Sequence, residues 1–291
     1  MTFAGTHTAL VTPFRNGAFD IPAFQALIEE QIAGGVTGII PVGTTGESPT
    51  LDHEEHLKVI DVAIKTAAGR CLVIAGTGSN ATNEAVALTQ EAAKLGADAA
   101  LLVAPYYNKP SQEGLYRHFK AIAECVNIPI VLYSIPGRCG IEIGVETAAR
   151  LAKDFKNIRA IKEAGGSVER VNQLRAALPE DFEILSGDDS LTIPFMSVGA
   201  VGVISVATNL IPAVVSTMVR HQLAGESAKA RAIHQKYYPL FKDLFIEPNP
   251  VPAKFALARL GKMTADVRLP LCEMSASNAE KLTATLKACG L

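Results

Sequence analysis

The stretch Asn157–Gly166 reads NIRAIKEAGG, which is the pattern of a short buried strand that ends in a glycine turn. The strand covers Ile158–Lys162, so a lysine closes a run that is otherwise largely apolar. A buried lysine loses its proton readily and then attacks carbonyl compounds as an amine. The alternative is a lysine at a strand end that extends its ammonium group into water. This stretch alone leaves both interpretations open.

Seven other apolar runs resemble this one, and a helical pattern follows each of the eight, beginning near residues 20, 52, 80, 111, 145, 168, 190 and 211. Eight successive strand–helix units predict an α/β fold, a closed parallel (β/α)8 TIM barrel. An open doubly wound sheet is the competing architecture, but eight units without an extra edge strand favour closure. The seven runs are Thr8–Val11, Gly38–Val42, Cys71–Ala75, Ala99–Val103, Pro129–Tyr133, Glu183–Ser186 and Gly202–Val206.

The strand patterns end before Gly225, and three helical stretches follow, near Ser227–Phe245, Val251–Leu260 and Ser275–Cys289. We therefore predict a catalytic barrel over residues 1–224 and a C-terminal helical region, a three-helix appendage, over 225–291. Such a helical addition either packs as a cap or forms an oligomer surface.

Composition excludes several classes of protein. The 291 residues carry a net charge of −2 without a long run of one sign, which argues against nucleic acid and against a basic membrane-binding surface. No apolar run reaches membrane-spanning length, and the N-terminus lacks the pattern of a signal peptide. The five cysteines are odd in number and form no C-x-x-C pair, as in a reducing compartment. We expect a cytoplasmic protein.

Chemistry in a parallel barrel lies at the carboxyl ends of the strands. The second strand is followed there by Gly43–Ser48, GTTGES, whose N–H groups and hydroxyls suit a carboxylate or phosphate. The fifth ends at Tyr133 and is followed by Arg138, which could hold a carboxylate through two hydrogen bonds. An ordinary glycine turn, a half-buried tyrosine and a surface arginine are the simpler alternatives. Together with Lys162, these groups are the ones that an enzyme needs to form an imine with a 2-oxo acid.

The remaining strand ends offer weaker signals. Tyr106 and Tyr107 follow the fourth strand, where packing or an interface would also explain an aromatic pair. Gly187 and Ile204, at the seventh and eighth strands, allow the backbone to approach a ligand closely. We expect neither cofactor nor metal. The G-x-G-x-x-A match at 76–81 lies in the third unit and not the first, and His53 and His56 lack a third ligand nearby.

Four segments together resemble the dihydrodipicolinate synthase family of pyruvate-dependent class I aldolases, and the resemblance extends over nearly the whole chain. They are GTTGES at 43–48, PYYNKPSQEGLYRHF at 105–119, YSIPGRCG at 133–140 and IKEAGG at 161–166. The resemblance implies a lyase of lysine (diaminopimelate) biosynthesis that condenses pyruvate with L-aspartate 4-semialdehyde, and a homotetramer built as a dimer of dimers.

The family also implies roles for individual residues. Lys162 would form the Schiff base with pyruvate, while Tyr133, Thr44 and the partner subunit's Tyr107 would relay protons. The resemblance further implies that Thr44 and Thr45 receive the pyruvate carboxylate, that Arg138 binds the carboxylate of the semialdehyde, and that Gly187 and Ile204 supply backbone groups near the imine.

Two alternatives stay open at this point: a Schiff-base aldolase or dehydratase of sugar acids, similar to N-acetylneuraminate lyase, and a non-enzymatic barrel that binds 2-oxo acids. Relatives similar to N-acetylneuraminate lyase typically have Ser–Thr in place of Thr44–Thr45 and lack an arginine at 138. Both differences favour the synthase. Ser134 and Cys139 replace the Asn and Thr that are frequent in the family, and we expect them to affect specificity more than reaction type.

A second set of residues matches the positions at which lysine-inhibited members of the family bind lysine between two subunits. A polar subunit interface without a ligand is the alternative. Glu84 is the expected partner of the lysine ammonium group. The set consists of Ser48, His53, His56, Asn80, Glu84 and Tyr106.

Overall fold

The computed structural model describes residues 1–291, and it confirms the (β/α)8 prediction. Eight parallel strands follow one another around a closed barrel, and β1 pairs with both β2 and β8. Two of the eight strands have exactly the predicted bounds, and the others shift by one to three residues. The strands are β1 Gly5–Ala9, β2 Gly38–Ile40, β3 Leu72–Gly76, β4 Ala99–Val103, β5 Ile130–Ser134, β6 Ile158–Glu163, β7 Glu183–Ser186 and β8 Gly202–Ser205.

Helices cover the outside of the barrel. Two of them begin at an aspartate cap: the Asp20 and Asp52 side chains accept hydrogen bonds from backbone N–H groups of the first turn. The helices are α1 Ile21–Ala33, α2 His53–Ala67, α3 Thr82–Leu95, α4 Gln112–Ala123, α5 Pro136–Cys139, α6 Val145–Asp154, α7 Val168–Ala177, α8 Thr192–Met196, α9 Pro212–Leu223, α10 Ser227–Asp243, α11 Val251–Arg259 and α12 Ala276–Cys289.

Three local features differ from the predicted pattern. The short helix α5 and a hairpin of Phe14–Arg15 with Ala18–Phe19 were not expected, and a 3-10 turn at Asp189–Leu191 precedes α8 where one helix was predicted. These pieces are only two to five residues long, so they carry too little periodicity to be recognised in a sequence.

Apolar side chains pack in two places. A large cluster lies between the strands and the helices, and a smaller one of 11 buried residues, including Phe3, Val131 and Leu185, fills the inside of the barrel. The barrel is therefore a packed core and not a pore. All five cysteines are unpaired thiols, and none of the helices is both long and apolar enough to cross a membrane.

A buried ion pair joins the C-terminal helices to the loop after β2. Lys254 on α11 is fully buried, and its Nζ lies 2.6 Å from Glu47 Oε1 and 2.9 Å from the Thr12 carbonyl oxygen. The other Glu47 oxygen accepts a hydrogen bond of 3.0 Å from the Arg268 backbone N–H. Because both oxygens have partners, the pair fixes this loop against the C-terminal region.

We predict that Lys254→Met lowers the free energy of unfolding by about 3–5 kcal/mol, because it leaves the Glu47 carboxylate buried without a cation. Urea unfolding at constant protein concentration measures the change. Lys65→Met, which removes an exposed ion pair with Asp61, is the matched control and should cost less than about 1 kcal/mol. The double variant Glu47→Gln/Lys254→Met should recover most of the loss; a double variant as unstable as Lys254→Met would contradict the explanation.

Candidate active site

Lys162 lies on β6, in register with Tyr133 of β5 and Leu185 of β7, and only 7% of it is exposed. Its amine makes neither an ion pair nor a hydrogen bond within the chain. Burial lowers the pKa of Lys162 to about 7; the charge of Asp189 acts to raise it and that of Arg138 to lower it. A substantial fraction of the amine is thus uncharged near neutral pH, as a nucleophile requires.

Tyr133 is the neighbour of this amine. The Lys162 Nζ lies 4.2 Å from the centre of the Tyr133 ring, and the ring is buried. Burial raises the pKa of the Tyr133 phenol to about 12, whereas the side chain of Thr44 and the charge of Arg138 act to lower it. The phenol therefore keeps its proton at neutral pH and can donate it next to the amine.

The loop after β2 presents hydrogen-bond donors. The backbone N–H groups of Thr44 and Thr45 have no acceptor within the chain, although the next residues of the loop make turn hydrogen bonds. Glu47 adopts a left-handed backbone conformation with φ of 56°, which the ion pair with Lys254 holds in place. The Thr45 hydroxyl accepts a hydrogen bond of 2.9 Å from Asn249 Nδ2. Unpaired N–H groups in a tight loop form a site suited to a carboxylate.

Arg138 lies on α5 at the rim, exposed and without an ion pair; the only hydrogen bond of its guanidinium goes to the Asn249 carbonyl oxygen at 3.5 Å. Its guanidinium is thus available to a carboxylate. A cavity of about 210 Å³ is lined by Thr44, Tyr133 and Arg138, and also by Ser48 and Tyr106. The structure therefore brings the predicted phenol, loop and arginine to one cavity.

Of the two residues predicted at the seventh and eighth strand ends, Gly187 lies next to the Lys162 side chain. A Cβ atom at Gly187 would stand 2.6 Å from the Ala164 Cβ, which is too close, and 3.1 Å from Lys162 Cε, which would crowd the lysine side chain. Ile204 is buried in the same interior cluster as Tyr133.

Sequence reasoning gave no role to two buried residues of the site, Asp189 and Asn249. Asp189 accepts hydrogen bonds from the Ser205 hydroxyl at 2.5 Å and from the Val206 and Ala207 N–H groups at 3.0 Å each. Burial raises the pKa of Asp189 to about 6, against these hydrogen bonds. The sequence feature that could have pointed to Asp189 is its position at a strand end, directly after Gly187-Asp188. No local sequence pattern points to Asn249.

Four of the six residues predicted to bind lysine are joined in two hydrogen-bonded pairs, His53 with Glu84 and Asn80 with Tyr106. The Glu84 carboxylate bonds to the Ser79 hydroxyl and, at 2.5 Å, to His53 Nε2, and Asn80 Nδ2 donates to the Tyr106 carbonyl oxygen. His56 differs from the others, because it is buried with Nε2 against the Gly76 carbonyl oxygen.

The glycines of the 76–81 segment have a packing explanation. A Cβ at Gly76 would lie 2.5 Å from the Val42 carbonyl oxygen, and one at Gly78 would lie 2.4 Å from the Val103 nitrogen. Their pattern follows from close contact between neighbouring strand ends. No group of three or more His, Cys, Asp or Glu side chains is arranged to hold a metal ion.

A buried, partly uncharged lysine beside a protonated phenol at the carboxyl end of a (β/α)8 barrel defines an enzyme of the class I aldolase type, a Schiff-base-forming lyase. The family model described as the dihydrodipicolinate synthetase family matches residues 2–289, and the chain belongs to that family.

Individual relatives agree over the full length. A protein of Syntrophus aciditrophicus named 4-hydroxy-tetrahydrodipicolinate synthase is 52% identical over 289 residues, which cover 99% of each chain. The solved structure of the synthase of that name from Methylacidiphilum fumariolicum SolV is 55% identical, with a TM-score of 0.99 over 99% of this chain and 96% of that chain. A lysine-bound structure of dihydrodipicolinate synthase from Cyanidioschyzon merolae is 44% identical, with a TM-score of 0.97 over 99% of each chain.

We predict that kcat/KM for pyruvate falls about tenfold per pH unit below pH 7, because only the uncharged Lys162 amine attacks a ketone and its pKa is about 7. Above that pKa the profile should be level until another group titrates. Initial rates from pH 5.5 to 8.5 at low pyruvate measure the effect. A rate constant that does not change between pH 8 and pH 6 would contradict the assignment.

Proposed function

We propose that this protein is a 4-hydroxy-tetrahydrodipicolinate synthase, which condenses pyruvate with L-aspartate 4-semialdehyde in lysine biosynthesis. The observation that carries the proposal is the environment of Lys162: a buried amine with a pKa of about 7, in register with Tyr133 and below a rim that holds an unpaired Arg138.

The first step is imine formation. The uncharged Lys162 amine attacks C2 of pyruvate, and the resulting carbinolamine loses one water molecule. The Thr44 and Thr45 N–H groups hold the pyruvate carboxylate, since these donors have no acceptor within the chain. Loss of a proton from C3 then gives the enamine.

The second step forms the carbon–carbon bond. The enamine carbon attacks the aldehyde carbon of the semialdehyde, whose carboxylate pairs with Arg138. The amino group of the bound semialdehyde then attacks the imine carbon and displaces Lys162. The ring closes, the free amine returns, and the water from the first step is the only by-product.

Tyr133 handles the protons of these steps. Because its pKa is about 12, the phenol accepts a proton only while it passes its own proton on, and Thr44, whose side chain acts on the phenol, can receive it. We propose that the partner subunit's Tyr107 continues this relay. The Tyr107 ring is 90% exposed in the single chain and lies outside the cavity, which supports a role in a dimer, and we propose a homotetramer of two such dimers.

Five unpaired cysteines support a location in the cytoplasm, where thiols stay reduced.

Borohydride trapping and a coupled assay test the proposal together. Borohydride with pyruvate should leave a stable adduct on Lys162, located by peptide mass mapping, and Lys162→Ala should show none. Turnover of pyruvate with L-aspartate 4-semialdehyde should follow in the coupled assay. An adduct without turnover of this aldehyde would leave the imine chemistry intact and refute the proposed acceptor.

N-acetylneuraminate serves as the control substrate for the sugar-acid alternative. Arg138→Met should raise the KM for the semialdehyde about tenfold or more, because it removes a charged hydrogen bond, while pyruvate trapping should persist. Cleavage of N-acetylneuraminate by the unmodified enzyme would favour the lyase instead.

We further propose that L-lysine inhibits this enzyme at the site around Glu84. The lysine-bound relative supports the proposal, as does the cavity that Ser48 and Tyr106 share with Thr44, which connects the two sites. Glu84→Gln should abolish inhibition by millimolar lysine but leave turnover unchanged, because it removes the partner of the ammonium group. Lys58→Gln, on the exposed side of α2, is the matched control. Unmodified enzyme that keeps full activity at millimolar lysine would exclude the proposal.

A further inference from the structure

Asn249 connects the C-terminal region to Thr45 and Arg138, the two residues proposed to bind the substrate carboxylates. It lies in the short segment between α10 and α11 and is 6% exposed. Its side-chain Nδ2 donates to Thr45 Oγ1 at 2.9 Å, and its backbone carbonyl accepts from Arg138 Nη2 at 3.5 Å. Asn249 therefore lies between the group proposed for the pyruvate carboxylate and the group proposed for the semialdehyde carboxylate.

The hydrogen bond to Thr45 fixes the direction of a hydroxyl group. A threonine hydroxyl has one hydrogen to donate and two lone pairs that accept. Asn249 occupies a lone pair, and the Thr45 hydroxyl donates to no acceptor within the chain. Its single hydrogen is left for an outside acceptor, beside two backbone N–H groups that are equally free. Three neighbouring donors without an acceptor in the chain are what a carboxylate requires.

The other half of the Asn249 amide argues against a merely structural role. Its Oδ1 is buried and has no hydrogen-bond donor in the chain. A buried acceptor without a partner lowers stability, so an apolar side chain of the same size would suit packing at least as well. What the amide provides that leucine would not is the Nδ2 donor to Thr45.

We propose that Asn249 is a positioning residue that turns the Thr45 hydroxyl toward the pyruvate carboxylate and so contributes to selection of a 2-oxo acid. The proposal rests on the proposed function for the identity of the carboxylate. Asn249 acts through Thr45 and touches no reacting atom. It also makes the C-terminal region a part of the pyruvate site.

The pyruvate concentration that gives half-maximal trapping by borohydride reports this role without an aldehyde. Asn249→Leu should raise that concentration about fivefold, the effect of one hydrogen bond, while the free energy of unfolding in urea stays the same or rises. Asn249→Asp should raise it further at pH 8, because a carboxylate accepts the Thr45 hydrogen and repels the substrate carboxylate. Asn278→Leu, which removes another amide of the C-terminal region, should leave it unchanged.

A double-mutant cycle tests whether Asn249 acts through Thr45. In a Thr45→Val background, Asn249→Leu should change half-maximal trapping by less than about twofold. The proposal would be overturned if the fold-changes of the two single variants multiplied in the double variant. It would also be overturned if Asn249→Asp bound pyruvate like the unmodified enzyme. The absence of any adduct with unmodified enzyme would instead refute the Schiff-base function itself.

Discussion

The cost of removing the Lys162 ammonium group from water is the constraint on which the site depends. A direct ion pair with a buried carboxylate would cancel that cost and keep the amine charged. Asp189 is the carboxylate whose charge acts on Lys162, but three hydrogen bonds tie it to the end of β8 and the residues that follow. It raises the Lys162 pKa without pairing with the amine, and the resulting pKa of about 7 leaves the nucleophile available at neutral pH.

The same desolvation gives Tyr133 on β5 and Lys162 on β6 opposite protonation states. Burial favours the uncharged form of each group, which is the free amine for Lys162 and the protonated phenol for Tyr133. One apolar environment therefore prepares a nucleophile and a proton donor side by side. The barrel supplies this environment because its interior is filled by side chains, while the charged Arg138 stays at the exposed rim.

The sequence predicted the elements that repeat and the groups that stand at strand ends. The Ala99–Val103 and Glu183–Ser186 strands have their predicted bounds and the other six shift by one to three residues, because a short apolar run between helical patterns indicates a strand but does not mark its ends. Short pieces such as α5 lacked periodicity. Two contacts of the C-terminal region, Asn249 to Thr45 and Lys254 to Glu47, join residues more than 200 positions apart. No local pattern marks such a contact, so only the folded chain reveals it.

These two contacts also bear on how the chain is divided. A boundary at residues 224 and 225 follows the end of the strand repeat, and it stays a prediction. The loop that presents the Thr44 and Thr45 donors is nevertheless held from both sides by residues beyond that boundary, through a buried ion pair and a buried amide. A barrel cut at residue 224 would keep Lys162 and Tyr133 but lose the groups that hold the loop of Thr44 and Thr45. The position of this loop therefore depends on α11 and the segment before it, which lie beyond the end of the strand repeat.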